Sequence, residues 1–545
     1  MNGAELFVKC LEQENVKYIF GVPGEENEDL LFAIEHSNIS FIPVRHEQGG
    51  AFMADVWGRV TGQAGVCLAT LGPGATNLVT GVADAFLDKS PVVALTGQGG
   101  LLRLHHESHQ YIDVVDMMKS ITKWSSAVTD VKVIPEIVRK AFKIATSEKP
   151  GATHIELAED VAGHTVEKKL IPLQDSHPRL SAPDKKSFQK ALELINHSKK
   201  LLIIAGNGAI RNRASEALTS FSEAYNIPVA STFMGKGAIS DKSPQSLGAM
   251  GLGFKDYVIE AAEAADLILC IGYDIAEYDP EGWNKNNDKT IIHLDFSPAE
   301  VFTHYIPEVE LICDLATCIR SFHQEMKREA FKNWYTEIRQ RIHASISHYN
   351  LKDDAPEFQT PGVLSIIREE LSDDGLLISD VGSHKMWIAR NYQTYCPNGC
   401  IISNGLASMG IALPGGIAAS LADPDRQVVA VMGDGGALMN IQELETAKRL
   451  GVSCTFIILN DNQYGLIKWK QEMSEGKSFG TEIGNPDFVK LAESFGIDGY
   501  KPTTVENLRK TFNKVFNNKS LSLIEIPIST DVNNELIEEL KNYYN

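Results

Sequence analysis

Short apolar runs rich in Val, Ile and Leu recur along the whole chain: YIFGVPG (18–24), FIPVRHE (41–47), AGVCLATLGPG (64–74), PVVALTGQ (91–98), THIELAED (153–160), LLIIAGNG (201–208), LILCIGYD (267–274), IIHLDF (291–296), LLISDVG (376–382), VVAVMGDGG (428–436) and TFIILNDN (455–462). They are too short for helices and continuous rather than alternating, which predicts strands of parallel sheets buried on both faces. Helical patterns separate them, beginning with the amphipathic MNGAELFVKCLEQENV at the N-terminus. The alternation predicts an α/β chain of doubly wound domains with mainly parallel sheets. Two Pro- and charge-rich stretches, 171–187 and 348–362, read as linkers. They divide the chain into three predicted domains, 1–175, 185–345 and 358–545. Several runs end in glycine turns, and ligands of such sheets collect at the carboxyl ends of strands.

A faint repeat links the outer segments. Residues 66–98 and 428–462 both read strand, glycine turn, helix, strand, with Gly72-Pro73-Gly74 aligned to Gly433-Asp434-Gly435. Two related domains with different turn chemistry would give this, although any two βαβ units share the order.

Composition narrows the function. The chain has 545 residues, too many for one core, with 43% apolar and 22% charged residues. A net charge of −20 from 51 basic and 71 acidic residues argues against nucleic-acid or anionic-membrane partners, while leaving local anionic ligands open. No apolar run approaches the length of a membrane span. The N-terminus lacks the basic and apolar regions of a signal peptide, so a cytoplasmic location is expected. The eight cysteines are scattered without a CxxC and are expected as reduced thiols; CPNGC (396–400) has loose metal-like spacing but no nearby partner pair.

The stretch VVAVMGDGGALMN (428–440) runs a strand into Gly433-Asp434-Gly435-Gly436. Asp-Gly is also ordinary turn chemistry. Downstream, one helix (ALMNIQELETAKRLG) and one strand lead to Asn460-Asp461-Asn462, so 27 residues separate Asp434 from Asp461. That is about one right-handed crossover, and if the strands are neighbours both carboxylates emerge at one sheet edge. Two such carboxylates repel unless a cation or proton lies between them. Hard oxygen ligands with open positions suit Mg²⁺, which commonly shares its sphere with phosphate oxygens. Glycine amides and the next helix start favour those oxygens, so Mg²⁺ with a diphosphate is predicted.

The pattern resembles the thiamine diphosphate motif of the acetolactate synthase family: GDG, then Asn-type residues after 24 intervening positions between Gly435 and Asn460. The resemblance covers essentially the whole chain, through GPGATNLVTGVADAFLDKSPVVALTGQ, ESHQYIDVVDMM, GAMGLG (248–253) and NPDFVKLAESFG (485–496). It implies a pyrimidine-binding N-terminal domain, a Rossmann-like central domain and a C-terminal diphosphate domain. It also implies metal ligands at Asp434, Asp461 and the backbone carbonyl of Gln463, with Asp at 461 where Asn is common. The turn DVGSHKMW (380–387) would bring Gly382, Ser383 and His384 to the diphosphate, beside Gly433, Gly435, Gly436 and Tyr464.

In VRHEQGGAFMADVWGRVTG (44–62), Glu47 matches the glutamate that meets the cofactor's aminopyrimidine ring and exchanges a proton with it. On local sequence it equally fits an acid stabilised at a helix N-terminus. SNGLASMGIALPGG (403–416) makes Met409 the apolar wedge beneath the bent cofactor and Ala407 the carbonyl that receives its amino group; Met409 also fits plain core filler. Gly24, Pro73 and Asn77 are further cofactor-pocket candidates. His109 and Gln110 fall where the family keeps a substrate pair, though a polar surface loop would look the same.

The implied reaction decarboxylates pyruvate and joins the fragment to a second pyruvate, giving 2-acetolactate and CO₂. A homodimer or homotetramer with active sites between subunits is implied. FAD is not expected: LLIIAGNGAIRN (201–212) lacks a third glycine and a suitably placed acid, IGYDIAEYDPEGWN (271–284) resembles the FAD-independent catabolic form, and Glu159-Asp160 replace the family's Lys-Asp. The alternatives are a biosynthetic acetohydroxyacid synthase catalytic subunit or another thiamine diphosphate-dependent decarboxylase or carboligase. A catalytically silent homologue would be expected to lose Glu47, Asp434 or Asp461, and all three are present.

Overall fold

Most of the apolar runs become strands whose residues are nearly all buried, as a run apolar on both faces requires, whereas FIPVRHE begins in an outermost strand in which Ile42 alone is buried. The computed structural model describes residues 1–166, 169–174, 181–251, 257–349, 351 and 358–535. Parts of both predicted linkers (175–180, 350 and 352–357), residues 252 and 253 of the GAMGLG turn, and the end of the third predicted domain (536–545) lie outside the described residues.

Among the described residues three six-stranded sheets form, and every pairing in them is parallel. The first contains β1 (Tyr18–Gly21), β2 (Ser40–Pro43), β3 (Gly65–Ala69), β4 (Val92–Gln98), β5 (Trp124–Val128) and β6 (Ala152–Ala158), in the order β2-β1-β3-β4-β6-β5. The second contains β7 (Leu201–Ala205), β8 (Val229–Ser231), β9 (Ser246–Ala249), β10 (Leu267–Ile271), β11 (Thr290–Asp295) and β12 (Val309–Ile312), in the order β12-β11-β10-β7-β8-β9. The third contains β13 (Leu376–Ser379), β14 (Cys400–Ile402), β15 (Val428–Gly433), β16 (Thr455–Asn460), β17 (Asp498–Tyr500) and β18 (Ser522–Pro527), in the order β14-β13-β15-β16-β18-β17. The outer sheets therefore share one topology, which gives the faint sequence repeat a structural basis. The middle sheet has the nucleotide-fold order, with its switch point between β7 and β10. In the outer sheets the switch points lie between β1 and β3 and between β13 and β15.

Contacts group the chain into two compact units that do not follow the three segments. One comprises Met1–Pro178, Gly405–Asp425 and Ala437–Cys454; the other comprises Arg179–Asn404, Arg426–Gly436 and Thr455–Asn545. Helix Ala412–Ala422 explains part of this. Its sequence, ALPGGIAASLA, is apolar all round, so it needs burial on every side. Within the first unit it packs against helix Glu47–Thr61.

The segment after GDG departs from the single predicted helix. It forms a short helix Asp434–Ala437, a 3₁₀ turn Ile441–Glu443 and a helix Leu444–Leu450. Asn440 interrupts it, with φ −136° and its amide donating to the Gly410 carbonyl at 2.8 Å. All eight cysteines are free thiols, seven of them buried. Among the described residues no helix is long and apolar enough to cross a membrane.

Candidate active site

In the third sheet, β15 and β16 are hydrogen-bonded neighbours in a register that pairs Gly433 with Leu459. Asp434 and Asp461 therefore follow adjacent strand ends at the same edge. Asp434 is buried; its Oδ1 accepts from the Gly435 amide at 2.9 Å and its Oδ2 from the Asn485 side chain at 2.6 Å. Burial, and then the charge of Asp434, push the Asp461 carboxyl up to about 6. Gln463 lies against Asp461, its amide donating to Oδ1 at 3.3 Å, and Lys468 donates to the Gln463 side chain at 2.9 Å. Tyr464 caps helix Gly465–Glu475, and its amide is fastened to the Thr481 carbonyl at 2.8 Å. A cleft of about 580 Å³ opens beside Asp461 and Gln463, lined also by Phe358, Pro527 and Ser529.

The switch-point turn after β13 arrives beside this edge. Gly382 precedes helix Ser383–Asn391. A Cβ placed on Gly433 would lie 3.6 Å from the His384 ring, and one on Gly465 would lie 2.4 Å from Asp461 Oδ2 and 3.7 Å from Ser383 Oγ. Gly436 admits Asp380: a Cβ there would come within 2.6 Å of Asp380 Oδ1. His384 is buried, which pulls its pKa down to about 4, while a backbone hydrogen bond with Asp380 opposes the shift. It is therefore a neutral imidazole near pH 7. Its Nε2 and the Asn485 Oδ1 are buried with no hydrogen-bond partner among the described residues. The unpartnered His384 and Asn485 atoms and the two close carboxylates fit a hydrated divalent cation carrying a diphosphate, because the buried atoms need polar partners and the carboxylates a positive charge between them. Among the described residues there is no group of three His, Cys, Asp or Glu side chains that could hold a metal without such a ligand.

The other candidates belong to the first compact unit. Glu47 opens helix Glu47–Thr61, is buried, and accepts from the Asn77 amide at 3.0 Å. The GPG turn lies against the pair, since a Cβ on Gly74 would sit 3.3 Å from Glu47 Oε1. Pro73 and Asn77 lie in the first turns of helix Pro73–Leu87. Gly72 enters that helix at φ +51°, and a Cβ there would meet the Gln110 carbonyl oxygen at 2.6 Å. The chain at Gln110 thus rests on the turn, with its own φ at +58°, while the His109 and Gln110 side chains are exposed. Gly24 follows β1 and packs on Thr70, where a Cβ would be 2.3 Å from Thr70 Cβ. The stretch with Ala407 and Met409 is half-buried; Ala407 adopts φ +54°, and the stretch is tied at Gly405 to Asp88 and at Gly410 to Asn440.

Arg59 locks the helix that bears Glu47. It is buried and pairs with Asp55 at 2.8 Å, Asp84 at 3.0 Å and Asp88 at 2.8 Å. Burial, then Asp88 and Asp55, hold the Asp84 carboxyl well above its usual range.

Family comparison finds all three parts of one architecture. Residues 1–117 match the N-terminal TPP binding domain of thiamine pyrophosphate enzymes, 188–322 the central domain and 380–526 the C-terminal TPP binding domain. The acetolactate synthase of Bacillus subtilis (strain 168) is 34% identical over 549 residues, covering 98% of this chain and 95% of that protein. The chain belongs to the thiamine pyrophosphate-dependent acetolactate synthase family. The catabolic acetolactate synthase of Raoultella terrigena is 32% identical over 554 residues, covering 99% and 97%. A probable acetolactate synthase large subunit of Methanococcus aeolicus is 32% identical over 563 residues, covering 97% and 92%.

In this family member two site residues escaped the sequence reading. Glu443 is fully buried and accepts the amides of Arg45 (3.0 and 3.2 Å) and His46 (3.1 Å), with Thr446 donating at 2.6 Å. It shapes the turn that delivers Glu47. Asn485 holds Asp434 and also donates to Asn460 at 3.0 Å and Asn462 at 3.1 Å. A carboxylate inside the predicted helix that follows a glycine turn was the available signal for Glu443; Asn485 opens the quoted stretch NPDFVKLAESFG, but nothing in that stretch points to Asp434.

Proposed function

We propose that this thiamine diphosphate-dependent enzyme is an FAD-independent acetolactate synthase that condenses two pyruvates to 2-acetolactate with release of CO₂. The observation that carries the proposal is the pair Asp434 and Asp461 on neighbouring strand ends, in a chain similar along its whole length to proteins named acetolactate synthase. Asp434, Asp461 and the Gln463 carbonyl would hold Mg²⁺. The amides of Gly433, Gly435 and Gly436, with Gly382, Ser383, His384 and Tyr464, would hold the diphosphate. Gly24, Pro73, Ala407 and Met409 would line the pocket of the organic rings. When bound, thiamine diphosphate supplies the carbon nucleophile and the electron sink for decarboxylation.

Glu47 would hold and return a proton at the aminopyrimidine ring, kept in place by the Asn77 amide and by the turn that Glu443 organises. His109 and Gln110 would donate hydrogen bonds to the substrate's carboxylate and developing alkoxide. The active unit would be a homodimer or homotetramer with Glu47 of one subunit serving the diphosphate half of the other.

FAD independence rests on the middle sheet. At its switch point, Gly206 and Gly208 pack directly on Gly272: a Cβ on Gly206 would lie 2.3 Å from the Gly272 oxygen, and one on Gly208 2.6 Å from its Cα. The buried Glu277 carboxylate accepts the Asn207 amide at 3.0 Å and the Thr232 hydroxyl. The chain's own carboxylate thus already occupies the Asn207 amide at the start of the short helix after β7.

The purified protein with Mg²⁺, thiamine diphosphate and pyruvate, without FAD, is expected to release CO₂ and form acetolactate. Acetaldehyde as the main product would point to a decarboxylase. A yellow preparation that requires FAD would point to the biosynthetic enzyme.

A further inference from the structure

The loop 99–113 carries His109 and Gln110 from the end of β4 to the GPG turn. Its far end is set by Gly72, on which the Gln110 carbonyl rests. Its near end is held from β6 and the short helix after it. Gln98 ends β4; its side chain accepts the Gly99 amide at 3.0 Å and donates both to Glu156 Oε2 at 3.0 Å and to the Ile112 carbonyl at 3.3 Å. Glu159 Oε1 accepts the Gly100 amide at 2.9 Å and lies 3.3 Å from the Arg103 guanidinium. Asp160 Oδ2 accepts the Leu101 amide at 2.9 Å, while its Oδ1 accepts the Val161 amide at 2.9 Å.

We propose that Glu156, Glu159 and Asp160 act as an acidic clamp that fixes the loop 99–113, and that Glu159 and Asp160 are positioning residues for the substrate pocket through Gln110. The clamp grips both ends of the loop. Gln98 ties the Ile112 carbonyl to the sheet, and Glu159 and Asp160 order the first turn, leaving the segment from Leu104 to Tyr111 to span a fixed distance. Glu156 is buried within β6, between β4 and β5, and burial lifts its carboxyl to about 7, while its hydrogen bond with Gln98 opposes the shift. Gly100 and Leu101 open a 3₁₀ turn, whose first amides have no carbonyl partner within the turn, so the two carboxylates supply one each. A lysine at 159 has no acceptor for the Gly100 amide and would face Arg103 with like charge.

The positioning role rests on the carboligase function proposed above; the clamp itself does not. In the full-length enzyme loaded with thiamine diphosphate and Mg²⁺, Glu159→Ala/Asp160→Ala is expected to raise the pyruvate KM about 5- to 10-fold, the size of one ordinary hydrogen bond, with the cofactor Kd unchanged. Glu159→Gln/Asp160→Asn keeps one acceptor oxygen each for the Gly100 and Leu101 amides of the loop, giving up only the Val161 contact outside it, and is expected to restore KM to within about twofold. Hydrogen exchange of the 99–113 peptide is read in the same proteins, with protection lost in the alanine pair and kept in the amide pair. Unchanged protection in the alanine pair overturns the clamp whatever the activity. Lost protection with an unchanged KM overturns the positioning role. A wild-type protein that makes no acetolactate overturns the carboligase function instead, and the exchange measurement still decides the clamp.

Discussion

The two outer sheets place the same βαβ unit in the same position and use it differently. In the first, β3 turns through Gly72-Pro73-Gly74 into an unbroken helix, Pro73–Leu87, and β4 ends on Gln98. Neither strand end presents a carboxylate. In the third, β15 turns through Gly433-Asp434-Gly435, the helix breaks at Asn440, and β16 ends on Asn460 with Asp461 next. The first unit takes its carboxylate, Glu47, from another helix and fastens it with Asn77 from the helix after GPG. On the proposed function, topology would fix where a ligand meets each sheet, and the turn residues would decide which chemical part it meets: a proton-exchanging acid in one, a cation-gripping pair in the other.

Breaking each half separately would test that division. The largest effect is expected from Glu47→Gln, which should lower turnover about 100- to 1000-fold, the scale of a lost acid–base group, while leaving cofactor affinity near wild type. Steady-state CO₂ release and a cofactor titration measure both; unchanged turnover would remove Glu47 from the chemistry. Asp434→Ala should do the reverse, weakening Mg²⁺ and thiamine diphosphate binding together by about 100-fold. Calorimetric titration reads it, and a wild-type cofactor Kd would put the metal elsewhere.

Glu443→Ala sharpens the comparison, because it strips the Arg45 and His46 amides of their buried acceptor next to Glu47. It should cost about 3 kcal/mol in urea unfolding, with Glu443→Gln costing about half. A cost below about 0.5 kcal/mol would show that the amides find other partners.

The smallest effect concerns the buried Glu156 carboxyl, which faces Gln98 and Asp113. Burial raises Glu156 to about 7, above its value in an unfolded chain. Its neutral form is therefore favoured on folding, and that stability is complete below about pH 4.5 and lost as pH rises through about 7. The melting temperature of Glu156→Gln relative to wild type should climb across that window; a flat difference would mean Glu156 titrates normally.

Much of this was legible from the sequence because it depends on local order. Continuous apolar runs require sheets buried on both faces, and the spacing from Asp434 to Asp461 fits a single crossover, so their adjacency could be anticipated. Glu47 and Asn77 were nominated separately, but their hydrogen bond needs the third dimension. What escaped depends on long-range partners. Glu443 reads as a helix residue until the Arg45 turn arrives to recruit it, and Asn485 meets Asp434 from a distant loop. Helix 412–422 belongs by chain order to the third segment, yet its all-round apolar surface finds part of its burial against helix Glu47–Thr61.

The most direct test is a crystal of the protein with thiamine diphosphate and Mn²⁺ in place of Mg²⁺, read by anomalous scattering. One metal peak is expected, in coordination contact with the Asp434 and Asp461 carboxylates and with diphosphate oxygens. A cofactor bound without metal at that edge, or a metal peak away from both aspartates, would contradict it.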